Sequence, residues 1–343
     1  MVVFFICLFA LILDAGKTDP NNFSLPFRAT PLKLEIPVGW PKPSANIFAN
    51  NPLTEEGFHL GRKLFYDGRL SKDGNFACAS CHQQFAAFAT YDHDLSHGFH
   101  DQFTTRNAPP LFNLAWQKLF HWDGGINHIE VQPLSPMTAP NEMAENVDSV
   151  LQKIRKDTSY QRMFKKAFGS NMINSQRMLK ALAQFVGSMV SSNSKYDKVK
   201  KGEDKFNSAE ARGYELFKER CNTCHKEPLF TDYSFRNNGL ALNNFLKDYG
   251  RMRITGNPED SLKFKVPSLR NVSVTFPYMH DGRLYSLYNV IDHYSKGIVQ
   301  SATLDSSLRK GIPFTEQEKN DIVYFLHTLK DTSFLNNERF SQP

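Results

Sequence analysis

The sequence predicts an all-α fold with long loops, built as two units on one plan. Helical periodicity recurs along much of the chain, while convincing strand alternation is scarce. A short internal repeat marks the two units, GRKLF at 61–65 and GYELF at 213–217. Each repeat leads into a Cys-x-x-Cys-His sequence, CASCH at 78–82 and CNTCH at 221–225. The 343 residues suffice for two domains, and 41% hydrophobic with 22% charged residues excludes a disordered chain.

The chain opens on MVVFFICLFALILDAGK. Residues 2–13 form an unbroken apolar run, followed by small residues at Ala15 and Gly16. That length suits a secretory signal and is short of the ~20 residues a membrane span needs. No Lys or Arg precedes the run, which departs from the usual signal. We expect residues 1–16 to direct export rather than to anchor the chain, and 17–44 to form an N-terminal extension.

The first unit is expected at 45–190. Thr54 is placed to cap its first helix, and NVDSVLQKIRK, SYQRMFKKAFG and SQRMLKALAQFVGSMVSS read as later helices. Residues 191–207, SSNSKYDKVKKGEDKFN, read as a solvated linker. Their lysines are interleaved with acids and the net charge is only +6, so no nucleic-acid surface is expected. The second unit is expected at 208–332, with Ser208 capping its first helix. Near its end, Thr315 and Glu318 have capping-box spacing. Ile322, Phe325, Leu326 and Leu329 then form one apolar stripe, expected to pack on that first helix. Residues 333–343 read as a tail. Trp40 and Trp116 read as packing residues.

Of the five cysteines, Cys7 lies in the expected signal, and the others form the pairs Cys78/Cys81 and Cys221/Cys224. Cys-x-x-Cys-His is the attachment sequence of c-type haem. Two intervening residues let each thiol reach one vinyl group, and the adjacent His ligates the iron. A zinc ribbon needs its pairs roughly 15–20 residues apart, whereas these lie at 81 and 221. A redox dithiol needs no following His. Two covalent haems are therefore expected, with His82 and His225 as iron ligands and the haems filling much of each core.

Several further motifs occur in one order: NPLTEEGFHLGRKLFYDGRLS, RNAPPLFN, WDGG, PNEM, PSLRNV and PYMHDGR. With the two haem sites, the set from about residue 45 to 330 resembles the bacterial dihaem cytochrome c peroxidases and the related MauG enzymes. The resemblance implies a catalytic first haem, an electron-relaying second haem, and hydrogen peroxide as substrate. It also implies a periplasmic location and a small electron-donor protein, such as a cytochrome c or cupredoxin. A homodimer is a candidate assembly.

Carried over by motif, Glu142 of PNEM matches the family's acid–base residue, and Gln132 the residue that orients peroxide or water. Trp122 matches the Trp between the haems. His97 matches the histidine that occupies the resting first haem in many members and is released when the second is reduced. Asn107, with the backbone carbonyls of Thr275 and Pro277, matches a calcium site between the haem domains, where oxygen donors suit a hard cation.

The second haem's sixth ligand divides the family. Peroxidases usually place Met there and MauG places Tyr, fourteen residues after the His of the HDG-type motif. Counting from His280 reaches Tyr294. Ser286 can cap a helix here and Gly297 can end it, putting Leu287, Val290, Ile291 and Tyr294 on one face. Met279 and His293 are the other candidates. The main reading is a peroxidase. The alternative is a MauG-like enzyme that oxidises side chains of a protein substrate. A plain electron carrier would need no distal acid, which the Glu142/Gln132 pair supplies.

Overall fold

The computed structural model describes residues 27–44 and 47–343. The expected signal at 1–16 lies outside these residues. Among the described residues, no helix is long and apolar enough to cross a membrane.

The first unit contains helices α1 (Glu55–Phe65), α2 (Cys78–Cys81), α3 (Leu134–Thr138), α4 (Val147–Arg155), α5 (Thr158–Phe168) and α6 (Ser175–Gly187). The second part of the chain contains α7 (Lys195–Lys200), α8 (Ser208–Arg220), α9 (Met252–Thr255), α10 (Leu287–Asp292), α11 (Glu316–His327) and α12 (Thr332–Leu335). The fold is helix-rich but not purely helical. Strands β1 (Phe235–Arg236) and β2 (Phe264–Lys265) pair antiparallel, with Phe235 opposite Lys265. Two-residue strands are too short for the alternation that marks a strand in sequence.

The repeat has a structural cause. A Cβ on Gly61 would lie 1.9 Å from the Ala181 carbonyl oxygen of α6, and one on Gly213 would lie 1.9 Å from that of Asp321 in α11. Each glycine lets the first helix of its unit touch the backbone of a later one. Phe58, Leu64 and Phe65 then meet Phe185 in the first core, and Phe217 meets Phe325 in the second. Thr54 caps α1, accepting from the Gly57 amide. The Thr315/Glu318 capping box of α11 is present, and its four stripe residues are buried. The cap of α8 is one residue earlier than expected. Asn207, not Ser208, accepts from the Glu210 amide in a reciprocal capping box.

The 191–207 stretch is not a solvated linker throughout. It contains α7, and Ser191, Ser194, Tyr196 and Asp197 are buried. Asp197 accepts two hydrogen bonds, at 2.8 and 2.9 Å, from the fully buried Arg270 guanidinium. Tyr196 donates to Glu227 at 2.7 Å. Interleaved charge suggested solvent, but one of these acids is the counter-ion of a buried cation.

The tail also packs. Phe334, Leu335 and Phe340 belong to the core of the first unit, and the Tyr66 hydroxyl donates to the Phe340 carbonyl at 2.7 Å. Trp40 meets Trp116 edge-on at 5.1 Å, and the Trp116 indole donates to the Pro41 carbonyl, as packing residues do.

Candidate active site

A cavity of about 550 Å³ lies in the first unit, partly walled by residues of the second. Helix α2 brings Cys78 and Cys81 to it as free thiols. His82 follows, and its Nδ1 donates to the Phe88 carbonyl at 2.7 Å. That bond fixes the tautomer and leaves Nε2 for an iron, the usual arrangement of a metal-ligating histidine. Burial holds the imidazole down at about 4, so it is a neutral donor. These residues fit a covalently attached haem. Burial pushes the Cys78 thiol up to about 12, in keeping with an apolar lining.

Glu142 and Gln132 line the same cavity. Burial raises the Glu142 carboxyl above the usual carboxylate range. Gln132 is held from behind by His121, with Nε2 to Nε2 at 3.2 Å. His121 carries no signal in the sequence beyond its place before Trp122. The loops around the distal side are tied together, since the Phe99 amide donates to the Glu142 carbonyl at 2.7 Å. Gly98 makes this contact possible, because a Cβ there would lie 2.3 Å from the Asn141 carbonyl.

His97 also lines the cavity, on its exposed side. Its Nδ1 donates to Asp101 at 2.8 Å, leaving Nε2 free.

Trp122 sits where the two units meet. Its indole N–H donates to the Asn107 carbonyl at 2.9 Å, and its own carbonyl accepts from the Lys265 amide at 2.7 Å. Asn107 joins the units as well, its amide donating to the His280 carbonyl at 2.8 Å. The Asn107 side-chain NH₂ donates to the Asp94 carbonyl at 3.0 Å. That orientation leaves Oδ1 as an available donor to a cation. The Thr275 and Pro277 carbonyls likewise accept no hydrogen bond among the described residues. These three oxygens are donors of the kind a hard cation takes.

The second site repeats the first. Cys221 and Cys224 are free thiols, and His225 Nδ1 lies 3.2 Å from both the Phe230 and the Pro267 carbonyls. The three residues fit a second covalent haem. Ser286 caps α10, which continues as a π turn over His293–Gly297. π segments are rare and cluster at functional sites. Tyr294 lies in this turn, facing Cys221, Cys224 and Asn238. Burial pushes its phenol up to about 12. His293 is turned away, with Nε2 3.0 Å from the Asn238 carbonyl. The Met279 sulfur accepts from the Asn238 side chain at 3.4 Å. Asn238, which has no sequence signal, thus contacts all three candidate ligands.

Comparison with known proteins agrees with this geometry. The family profile for di-haem cytochrome c peroxidase matches residues 55–205. A methylamine utilization protein MauG from Methylorubrum extorquens is 38% identical over 92% of this chain and 87% of its own length. A cytochrome c551 peroxidase from Nitrosomonas europaea is 32% identical, over 84% of each. The crystal structure of a MauG-like protein associated with microbial copper homeostasis superimposes with a TM-score of 0.83. It shares 34% identity, over 91% of this chain and 99% of that one. Such relatives imply two c-type haems, which the paired Cys-x-x-Cys-His sites are built to hold. The chain belongs to the di-haem cytochrome c peroxidase family, whose members include the MauG proteins.

Proposed function

We propose that the protein is a periplasmic enzyme that reduces hydrogen peroxide to water at the first haem site, using electrons from a small redox protein that enter through the second. The carrying observation is that His82, Gln132 and Glu142 line one cavity. A bound haem would supply the iron that binds peroxide and takes part in its reduction. Glu142 would take a proton from one peroxide oxygen and return it to the other, which leaves as water. Its burial suits this role, because a raised carboxyl both accepts and returns a proton more readily near neutral pH. Gln132, steadied by His121, orients peroxide or water. Trp122 lies on the electron path between the units. Asn107, Thr275 and Pro277 would hold a calcium ion, which would steady the junction.

The second reading is MauG-like oxidation of side chains in a protein substrate. It is favoured by Tyr294, which faces the second site where a peroxidase would place Met. A phenolate favours ferric and higher iron states, whereas a thioether raises the potential.

Titrating the holoprotein with peroxide separates the two, followed by optical and EPR spectra. Turnover only after half-reduction supports the peroxidase cycle. A long-lived two-electron-oxidised species formed from the diferric protein supports the MauG-like reading. In the second case Tyr294→Phe alters the second haem's spectrum and shortens that lifetime. An unchanged spectrum would remove Tyr294 as a ligand.

A further inference from the structure

The cations around the first cavity differ in how they are balanced. Arg106 is satisfied, donating to Asp248 at 2.6 and 2.9 Å and to Asp123 at 2.6 Å. Arg253 is more than half exposed, at 54% of its side chain. Lys265 is different. It is 8% exposed and lines the cavity, and among the described residues no carboxylate forms an ion pair with it. Its ammonium donates only to neutral oxygens, Gln117 Oε1 at 3.1 Å and the Leu119 carbonyl.

A buried cation without a counter-ion is costly. Neutral hydrogen bonds satisfy its protons but not its charge. Burial pushes the Lys265 ammonium down to about 7, and Asp123, the acid that opposes this, is already engaged by Arg106. Lys265 is held in place from both directions. It lies in β2 opposite Phe235, and its amide donates to the Trp122 carbonyl at 2.7 Å. The ammonium is therefore fixed at the cavity wall that the second unit contributes. An anion inside the cavity would balance this charge.

A covalent haem carries two anions. Its vinyl groups would be tied to Cys78 and Cys81, which would leave its carboxylate arms free to meet a cation of the cavity wall. With Arg106 saturated and Arg253 in solvent, Lys265 is the buried cation available to them. We propose that Lys265 is the counter-ion of a propionate of the first haem, and that the second unit thereby tunes the potential of the first. This rests on the two-haem reading above.

The test uses Lys265→Met and Lys265→Arg in the holoprotein, with the first haem's potential read by spectroelectrochemistry. Removing the cation leaves the propionate charge unbalanced and favours ferric iron. The Met variant is expected to shift the reduction equilibrium at least tenfold toward the ferric form, about 59 mV lower for one electron. The Arg variant keeps the charge and stays within threefold of the unaltered protein. Propionate bands in the resonance Raman spectrum move in the Met variant and not in the Arg variant. An unchanged potential and unchanged bands in Lys265→Met, with both haems attached, overturn the proposal. If the Met variant fails to fold, a Lys265→Gln variant with unaltered potential overturns it equally. Lack of covalent haem in the unaltered protein would overturn the two-haem reading instead.

Discussion

Glu142 and Tyr294 show how one side chain acquires a role from its surroundings. Each would be ordinary elsewhere, a loop carboxylate and a core phenol. Burial raises the Glu142 carboxyl, and in the proposed cycle its base form takes the first proton from peroxide. Turnover is therefore lost as pH falls through that raised value, so the acid limb lies above the usual carboxylate range. Glu142→Gln is expected to lower the turnover rate by about 10²–10⁴-fold and to abolish that limb, as a pH–rate profile would show. Retention of peroxide consumption would remove Glu142 from the mechanism. Candidate ligands such as His82 are legible in sequence because the haem-attachment motif places two cysteines and a histidine within five positions. Lys265 and Asn238 are not legible, because their meaning arises only when distant segments surround them. Arg270 is similar, since nothing in PSLRNV says that its counter-ion, Asp197, lies in a lysine-rich run.

At the scale of the element, the helix starts are the most readable part of the molecule. A hydroxyl or amide side chain just before a helix accepts from the free amide three residues on. Thr54, Ser286 and Thr315 all serve in this way. The one-residue error at α8 reflects two adjacent residues, Asn207 and Ser208, that are both competent caps. Helix length is harder to read. The even spacing of Leu287, Val290, Ile291 and Tyr294 assumes a continuous α-helix, whereas the chain widens to a π turn before Tyr294. The glycines of the repeat are the elements' contact points. Gly213→Ala forces a methyl group into the Asp321 carbonyl. It is expected to destabilise the protein by about 1–3 kcal/mol, as seen for overpacked cores. Thermal unfolding of the holoprotein checks this, and a substitution without effect would show that α8 and α11 can separate freely.

For the whole molecule, two repeated units are visible in the sequence, but their entanglement is not. Ser191 and Asn113 exchange hydrogen bonds at 2.9 and 3.1 Å, and Asp331 accepts from Ser191, Ser192 and Asn193. The chain then returns to the first unit. Burying a Phe or Leu stabilises by about 1.5–3 kcal/mol. Deleting residues 333–343 removes three such side chains from the first core, several kcal/mol against a typical total of about 5–15. The expected result is early unfolding and proteolysis of the first unit, with the second unit's transition little changed. Equal stability of the truncated chain would show that the tail is dispensable.

That tail also sets a timetable. A chain made from its N-terminus presents CASCH long before Phe334 and Phe340 exist. Until they arrive, the first core is unfinished and its two thiols remain open to whatever machinery attaches the haem. On that order of synthesis the first core closes only when Phe340 reaches Phe58 of α1.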